Sequence, residues 1–201
     1  SIASYNRYKY LTKILDDIFT QDTKHSYHVV VLDDNSTDHR YQNLKEAYKD
    51  KSFTYIKNKN NNAKQKYWDT ITKLFKWAED YKFKLLTQMD DDFKVCNSFI
   101  DNIVKSWEDK ANSNTAAMKY HRDARDRDGR TVWGLNDWID GGSVFSYKLM
   151  EKINFKIDRI AITRWMIDKR LSSGVWEQIS KKINLYGMNI IKSDNSLVKH
   201  L

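Results

Sequence analysis

With 201 residues, 40% of them hydrophobic and seven of them tryptophan, the chain can bury a substantial core, which excludes a disordered tail. Lys and Arg number 35 against 27 Asp and Glu, and the resulting charge of +8 suits a polyanionic partner: nucleotide phosphates, an anionic membrane face or nucleic acid. No apolar run approaches the length of a membrane span, and no stretch reads as a secretory leader.

The chain begins without Met on Ser1-Ile2-Ala3-Ser4, already strand-like, so a trimmed start or a domain cut from a longer protein is expected. Leu11, Ile14, Leu15, Ile18 and Phe19 recur at helical spacing after Tyr5-Asn6-Arg7 and predict an amphipathic helix over about 8–20. Val29-Val30-Val31-Leu32 is a β-branched apolar run of strand length. A polar helix around Leu44, Ala47 and Tyr48 leads to a short strand, Phe53-Thr54-Tyr55-Ile56. Asn58 to Asn62 is a loop by composition. Tyr67, Ile71, Leu74, Phe75 and Ala78 then line one face of a long helix returning to the strand Phe83–Met89. Such alternation predicts an α/β fold with a mostly parallel central sheet flanked by helices.

The second half is less regular. Ile100, Ile103, Val104 and Trp107 mark a helix, and Thr115–Tyr120 and Arg130–Trp133 read as strands joined by a charged turn ending in Asp128-Gly129, a hairpin signal. A short strand to Phe145, a helix holding Leu149 and Ile153, a helix from Val175 to Tyr186 stopped by Gly187, and a strand near Asn189–Lys192 follow, with a tail ending in His200. With no repeat or linker in view, one domain over 1–201 is expected, dividing into a regular 1–95 half and a 96–201 half with an antiparallel portion.

Two of the strands stop in carboxylates: Asp33-Asp34-Asn35-Ser36-Thr37-Asp38 after the first, Asp90-Asp91-Asp92 after the second. Ligands of open α/β sheets bind beyond the carboxyl ends of strands, so acids there are placed to handle something cationic, most simply a metal carrying phosphates. Alternate residues of an extended chain point the same way, so Asp90 and Asp92 can converge on one ion, with Mg²⁺ or Mn²⁺ suited to oxygen donors. The bland alternatives are capping residues ahead of the helix near Ser98 and a strand-to-helix turn around Asp34.

The ordered set Ser1-Ile2-Ala3-Ser4-Tyr5-Asn6-Arg7, Leu11, Leu15, Gln21, Val30–Asp38, Lys64 and Lys66, then Asp90-Asp91-Asp92, resembles the opening of family 2 glycosyltransferases of the GT-A fold over roughly the first hundred residues. The resemblance implies a nucleotide-diphosphate-sugar donor, usually a UDP-sugar, bound with a divalent ion. By that likeness Ser4, Tyr5, Arg7 and Asp34 lie at the nucleotide, with Tyr5 and Asp34 on the base. Lys66 approaches the diphosphate, Asp90 reaches the ribose or the metal, Asp91 is a further substrate contact, and Asp92 is the main metal ligand, with His200 touching metal or diphosphate; residues 1–95 form the nucleotide-sugar-binding half and 96–201 the acceptor side. The acceptor is a hydroxyl on a glycan or a lipid-linked carrier; nucleic acid is a less favoured acceptor that the charge permits.

A departure falls where the family often has a Glu-Asp pair opening a late helix: here Val175-Trp176 stands there, with Glu177 about 100° further around the helix. Glu177, Asp140 and Asp168 are then candidates for the base, Glu177 and Asp140 preferred, with Gly141 and Gly142 letting backbone approach the donor sugar. Trp133, Trp138, Trp165 and Trp176 are candidates to line an acceptor cleft, although ordinary core packing accounts for any one of them. Two rival classes stand beside this reading: a non-catalytic nucleotide-sugar or glycan-binding module, and a metal-dependent phosphoryl-transfer enzyme. The single cysteine, Cys96, favours a reducing compartment and hence a cytoplasmic location, with an anionic membrane surface within reach of the positive charge.

Overall fold

Val29, Val30, Val31, Leu32 and Asp33 form β2 (Val29–Asp33), buried at every position, and the period of a strand divides them between two cores. Val29 and Val31 join one cluster with Leu11, Ile14, Leu15 and Ile18; Val30 and Leu32 join another with Ile71, Leu74 and Phe75. A strand covered on both faces lies inside a sheet sandwiched by helices. The structure is a computed structural model that describes residues 1–122, 139, 142–161 and 174–200.

Along the chain these are β1 (Ile2–Ser4), α1 (Tyr8–Phe19), β2, a 3₁₀ turn His39–Asn43 running into α2 (Leu44–Ala47), β3 (Phe53–Lys57), α3 (Tyr67–Glu79) and β4 (Leu85–Asp90). Then follow β5 (Phe93–Val95), α4 (Phe99–Lys110), β6 (Thr115–Arg122), β7 (Ser143–Ser146), α5 (Tyr147–Lys152), α6 (Val175–Leu185) and β8 (Asn189–His200). The strands are ordered β3-β2-β1-β4-β7-β6-β8-β5. The β3-β2-β1-β4 portion is parallel, as is β6 with β8, whereas β7 runs antiparallel to β4 and β6, and β5 to β8. This is the expected α/β sheet, mostly parallel, with its antiparallel portion in the second half.

Helix α1 buries Leu11, Ile14, Leu15 and Ile18, each contributing roughly 1.5–3 kcal/mol over exposure. That outweighs an N-terminus where Arg7 gives no side-chain cap, a deficit of about 1 kcal/mol. Packing fixes α1 and leaves Arg7 to other work. At the other end of the chain, Gly187 stops α6 as the sequence suggests: its φ of +60° lets the Met188 N–H reach the Ile183 carbonyl at 3.1 Å.

Three elements differ from expectation. Strand β5 follows the Asp triplet directly and was not foreseen, being only three residues long. The expected tail is the end of β8, which runs 12 residues; β6 pairs with it on both sides of polar Ser193–Asn195, where the register shifts. The polar helix at Leu44 is a 3₁₀ turn and one α turn. The expected strand Arg130–Trp133 and its Asp128-Gly129 turn lie outside the described residues, as do Asp140, Gly141, Asp168, Trp133, Trp138 and Trp165. Among the described residues no helix is long and apolar enough to cross a membrane.

Candidate functional site

Register decides which side chains meet. Parallel pairing aligns Lys57 with Asp33, Asp33 with Ser4, and Ala3 with Asp90, which makes Asp91 level with Ser4. A row Lys57, Asp33, Ser4, Asp91 thus crosses the carboxyl ends of four adjacent strands, and Asp34 and Asp92 each follow one residue beyond it. The two acidic clusters share one rim.

Asn6 and Asn35, at φ of +53° and +64°, turn the chain off β1 and β2; asparagine tolerates that region better than other non-glycine residues. The Asn6 carbonyl oxygen Oδ1 accepts from the Thr37 and Asp38 N–H groups at 2.9 and 3.2 Å, and the Asn6 N–H donates to Ser36 Oγ at 2.9 Å. Asp33, fully buried, accepts from the Ser36 N–H at 2.7 Å and the Tyr55 hydroxyl at 2.6 Å. Burial pushes the Tyr55 phenol well up, with the Asp33 hydrogen bond and charge adding to the rise. Tyr41 holds the base of the rim, its hydroxyl 2.6 Å from Ser4 Oγ and accepting from the Arg7 N–H at 3.0 Å.

Arg7 ties the end of β1 to the second acidic cluster. Its Nη1 donates to Asp91 Oδ1 at 3.2 Å and Asp92 Oδ2 at 2.7 Å, and Ser4 Oγ donates to Asp91 Oδ2 at 2.7 Å. Burial pushes the Asp91 carboxyl above its ordinary value against the pull of Ser4 and Arg7, and the neighbouring Asp92 charge raises it further. Burial also works against the Arg7 charge, yet the two aspartates more than offset it and the guanidinium stays above its ordinary value.

Asp34 is occupied differently. Oδ1 accepts from Asn58 Nδ2 at 2.7 Å and the Asn62 N–H at 3.0 Å; Oδ2 accepts from Asn61 Nδ2 at 3.2 Å, the Asn62 N–H at 3.0 Å and the Ala63 N–H at 2.9 Å. Its carboxylate therefore gathers the Asn58–Ala63 loop that precedes α3. Beyond the loop Lys66 is exposed at the start of α3, and Tyr5 stands 44% exposed on the rim, its ring open to a ligand.

The acceptor-half residues divide. Trp176, half-buried, meets the edge of Tyr67 at 6.4 Å and lies nearly parallel to Phe145 at 6.5 Å. Burial pushes the Tyr67 phenol well up and the charges of Asp90 and Asp91 add to it, so this aromatic group reaches from α6 toward the acidic rim. Glu177, by contrast, is held 2.7 Å from Lys181 on a partly exposed flank of α6. Gly142 is buried, its carbonyl accepting from the Tyr120 N–H at 3.5 Å. His200 belongs to β8 opposite Phe93, close in sequence to the Asp triplet across the β5–β8 pair; its side chain lies outside the described residues.

Sequence reasoning missed the roles of Asn6, Ser36, Tyr41, Tyr55, Asn58, Asn61 and Tyr67. The one available signal was the density of amide donors in 58–62, directly after a strand that neighbours an acid-tipped one. A cavity of about 670 Å³ lies at the opposite ends of these strands, lined by Tyr27, His28, Trp77, Tyr81 and Phe83, and shares none of the rim carboxylates.

Among the described residues no group of three or more His, Cys, Asp or Glu is arranged to enclose a metal ion. The donor chemistry still fits one bound jointly with a ligand: Mg²⁺-type ions commonly take one or two carboxylates and complete their shell from substrate phosphates and water. Asp90, half-buried, and Asp92, its side chain 12% exposed, are hard oxygen donors two residues apart on the rim.

A doubly covered sheet, parallel where its strand ends carry the acids and antiparallel beyond, is the GT-A architecture of glycosyltransferases. The structure matches a mannosyltransferase, PcManGT, from Pyrobaculum calidifontis, solved with GDP-Man and Mn²⁺ (TM-score 0.70, 17% identity, 99% of this chain and 55% of that one). It also matches S. aureus TarS 1-349 (TM-score 0.72, 15% identity, 99% and 58%) and the same protein with UDP-GlcNAc (TM-score 0.69, 14% identity, 98% and 56%). At these identities the likeness is one of fold, and the chain spans little more than half the length of these structures. No curated relative matches the sequence. The family is fixed by sequence: the chain belongs to glycosyl transferase family 2, whose model matches residues 1–172.

Proposed function

We propose that this chain transfers a sugar from a nucleotide-diphosphate donor, a UDP-sugar as first choice, to a hydroxyl acceptor, with Mn²⁺ or Mg²⁺. The observation that supports it most is the shared rim, in which register sets Ser4 and Asp91 level and brings Asp34 and Asp92 to the ends of the two strands that flank β1. Structures of similar fold were solved with GDP-Man and Mn²⁺ and with UDP-GlcNAc, which supports a nucleotide-sugar donor and leaves the base to be tested.

On this reading the nucleotide lies along the strand ends, Tyr5 offers its exposed ring to the base, and Lys66 offers its ammonium to the diphosphate. Asp90 and Asp92 hold the divalent ion with the donor's phosphates, and His200 is the candidate to complete the set. When bound, the ion stabilises the charge that grows on the departing diphosphate. Arg7 already compensates Asp91 and Asp92, holding the adjacent carboxylates close before substrate arrives. The acceptor oxygen attacks the anomeric carbon, the bond to the phosphate oxygen breaks, and the acceptor proton passes to a carboxylate base. Glu177 and Asp140 are the candidates, and Glu177 must leave Lys181 to serve. The glycan or lipid-linked acceptor is assigned to the aromatic second half, with Gly141 and Gly142 beside the donor sugar.

Isothermal titration of UDP and GDP with and without Mn²⁺ tests the donor site. Metal-dependent binding that Asp92→Ala abolishes, at an unchanged melting temperature, is the expected result; absence of binding to the folded protein refutes the reading. A second reading, a binding module without turnover, is favoured by the Glu177–Lys181 pair and by Val175-Trp176 at the helix start. Release of free sugar from a UDP-sugar with Mn²⁺ separates the two.

A further inference from the structure

We infer that Arg7 holds Asp92 against a divalent ion until a nucleotide diphosphate draws the guanidinium away, so that metal and donor bind as a coupled pair. The inference rests on the donor-site reading above, in which Asp92 is a metal ligand, and gives Arg7 a part in that site.

The guanidinium and the ion need the same oxygen. Arg7 Nη1 donates to Asp92 Oδ2 at 2.7 Å, with a longer bond to Asp91 Oδ1 at 3.2 Å. Ions of the Mg²⁺ type sit about 2.0–2.1 Å from a carboxylate oxygen, so one on Oδ2 would lie within about 5 Å of Nη1. Two cations that close repel, and each weakens the other's hold on the carboxylate. The two acids give up Arg7 on different terms. Asp91 keeps Ser4 Oγ at 2.7 Å, and the cation that Asp92 loses is replaced by the ion.

The exchange asks only the side chain to move. The Arg7 N–H donates to the Tyr41 hydroxyl at 3.0 Å, and its carbonyl accepts from the Tyr10 and Leu11 N–H groups at 3.0 and 2.9 Å. Its side chain, 48% exposed, is the open member of a group whose two carboxylates are 7% and 12% exposed. A guanidinium carries five N–H donors, and among the described residues Nη1 alone is engaged. Nε and Nη2 remain as a planar fork, the geometry that grips phosphate with two parallel bonds. A diphosphate on the rim thus offers Arg7 a replacement for Asp92, while its own charge compensates the arriving ion. Linkage makes the coupling reciprocal: the nucleotide tightens the ion as much as the ion tightens the nucleotide.

Mn²⁺ binding, read from the electron paramagnetic resonance of the free ion, tests this with and without UDP or GDP. Without nucleotide, Arg7→Met binds Mn²⁺ about tenfold more tightly than the wild type, because Asp92 no longer has a charge-assisted hydrogen bond to give up. Lys9→Met, which removes a neighbouring exposed charge on α1, leaves the affinity as it was. Nucleotide tightens Mn²⁺ at least about tenfold in the wild type and by several-fold less in Arg7→Met. A residue that merely braces the acids predicts the opposite sign, since its removal would loosen the carboxylates and weaken Mn²⁺. Affinity in Arg7→Met at or below that of the wild type overturns the inference, as does an equal gain in Lys9→Met or an unchanged nucleotide effect. Should Arg7→Met not fold, the Arg7 Nε NMR signal of the wild type decides: Mg²⁺ and nucleotide together shift it, and a signal that stays in place overturns the inference. Should the wild type bind neither nucleotide, the donor-site reading fails and Mn²⁺ affinity alone judges the exclusion.

Discussion

Removing the Arg7 side chain strips the one described cation that bridges Asp91 and Asp92, and the geometry sets the size of the effect. The two contacts are 3.2 and 2.7 Å, with Asp91 and Asp92 side chains 7% and 12% exposed but Arg7 itself 48% exposed. Unit charges at 4 Å attract by about 4 kcal/mol at an effective dielectric of 20, and exposure of the arginine brings each pair down to about 1 kcal/mol. Arg7→Ala should therefore destabilise the fold at pH 7.5 by about 2 kcal/mol, or about 4–8 °C in a chain of this size. The sign with pH follows from Asp91. Its carboxyl is already above the ordinary 3.8 in the folded state, so it supports the fold most in acid and withdraws that support as pH rises through its folded value. Loss of Arg7 raises it further, so the gap between variant and wild type is small in acid, where the carboxyl is protonated in both, and opens as pH rises through the two raised folded values. Differential scanning calorimetry at pH 7.5 and 4.5 reads both. Millimolar Mn²⁺ should return more stability to the variant than to the wild type, because Arg7 no longer competes with the ion for these oxygens. Equal melting temperatures, or a gap of the same size at both pH values, refutes the reasoning.

Further outcomes follow from single contacts. Tyr55→Phe leaves the buried Asp33 Oδ2 with Lys57 Nζ at 3.9 Å in place of a hydroxyl at 2.6 Å, and urea denaturation should show a loss of about 1–3 kcal/mol. Gly174→Ala places a Cβ no closer than 3.5 Å to Ile160, so its effect is conformational: at φ +73° the left-handed backbone should cost about 1–2 kcal/mol, read as a lower melting temperature. Phe75→Ala empties a fully buried site against Phe145 and should lose about 3–5 kcal/mol in the same denaturation assay.

The first half of the fold was legible because its signals are local. An all-apolar run ending in acids can only be an inner strand, and Leu11–Ile18 spacing can only pack one way; both were placed within a residue or two of the observed ends. Strand β8 was read at only its first four residues because polar Ser193–Ser196 carries no strand pattern, and β6 pairs again only beyond a register shift, at Ser196 and Val198. The site was legible as a list of acids at strand ends, since strand polarity alone brings Ser4, Asp34 and the Asp triplet to one edge. What each acid holds was not. Asp91 turns inward to Ser4 and Arg7, and Asp34 turns toward an asparagine loop 24 to 29 residues away, contacts set by register and by a strained Ala63 that no spacing rule encodes. Glu177 was chosen for its place near the start of α6, and its i,i+4 partner Lys181 was equally visible in the sequence but not weighed.

A crystal of the protein grown with UDP, or GDP if that binds better, and Mn²⁺ addresses the central claim most directly. The account predicts an anomalous Mn²⁺ peak touching an oxygen of Asp90 or Asp92, with the diphosphate beside it and the base running toward Tyr5. Nucleotide or metal lodged at the other ends of the strands, or on any face away from those aspartates, contradicts it.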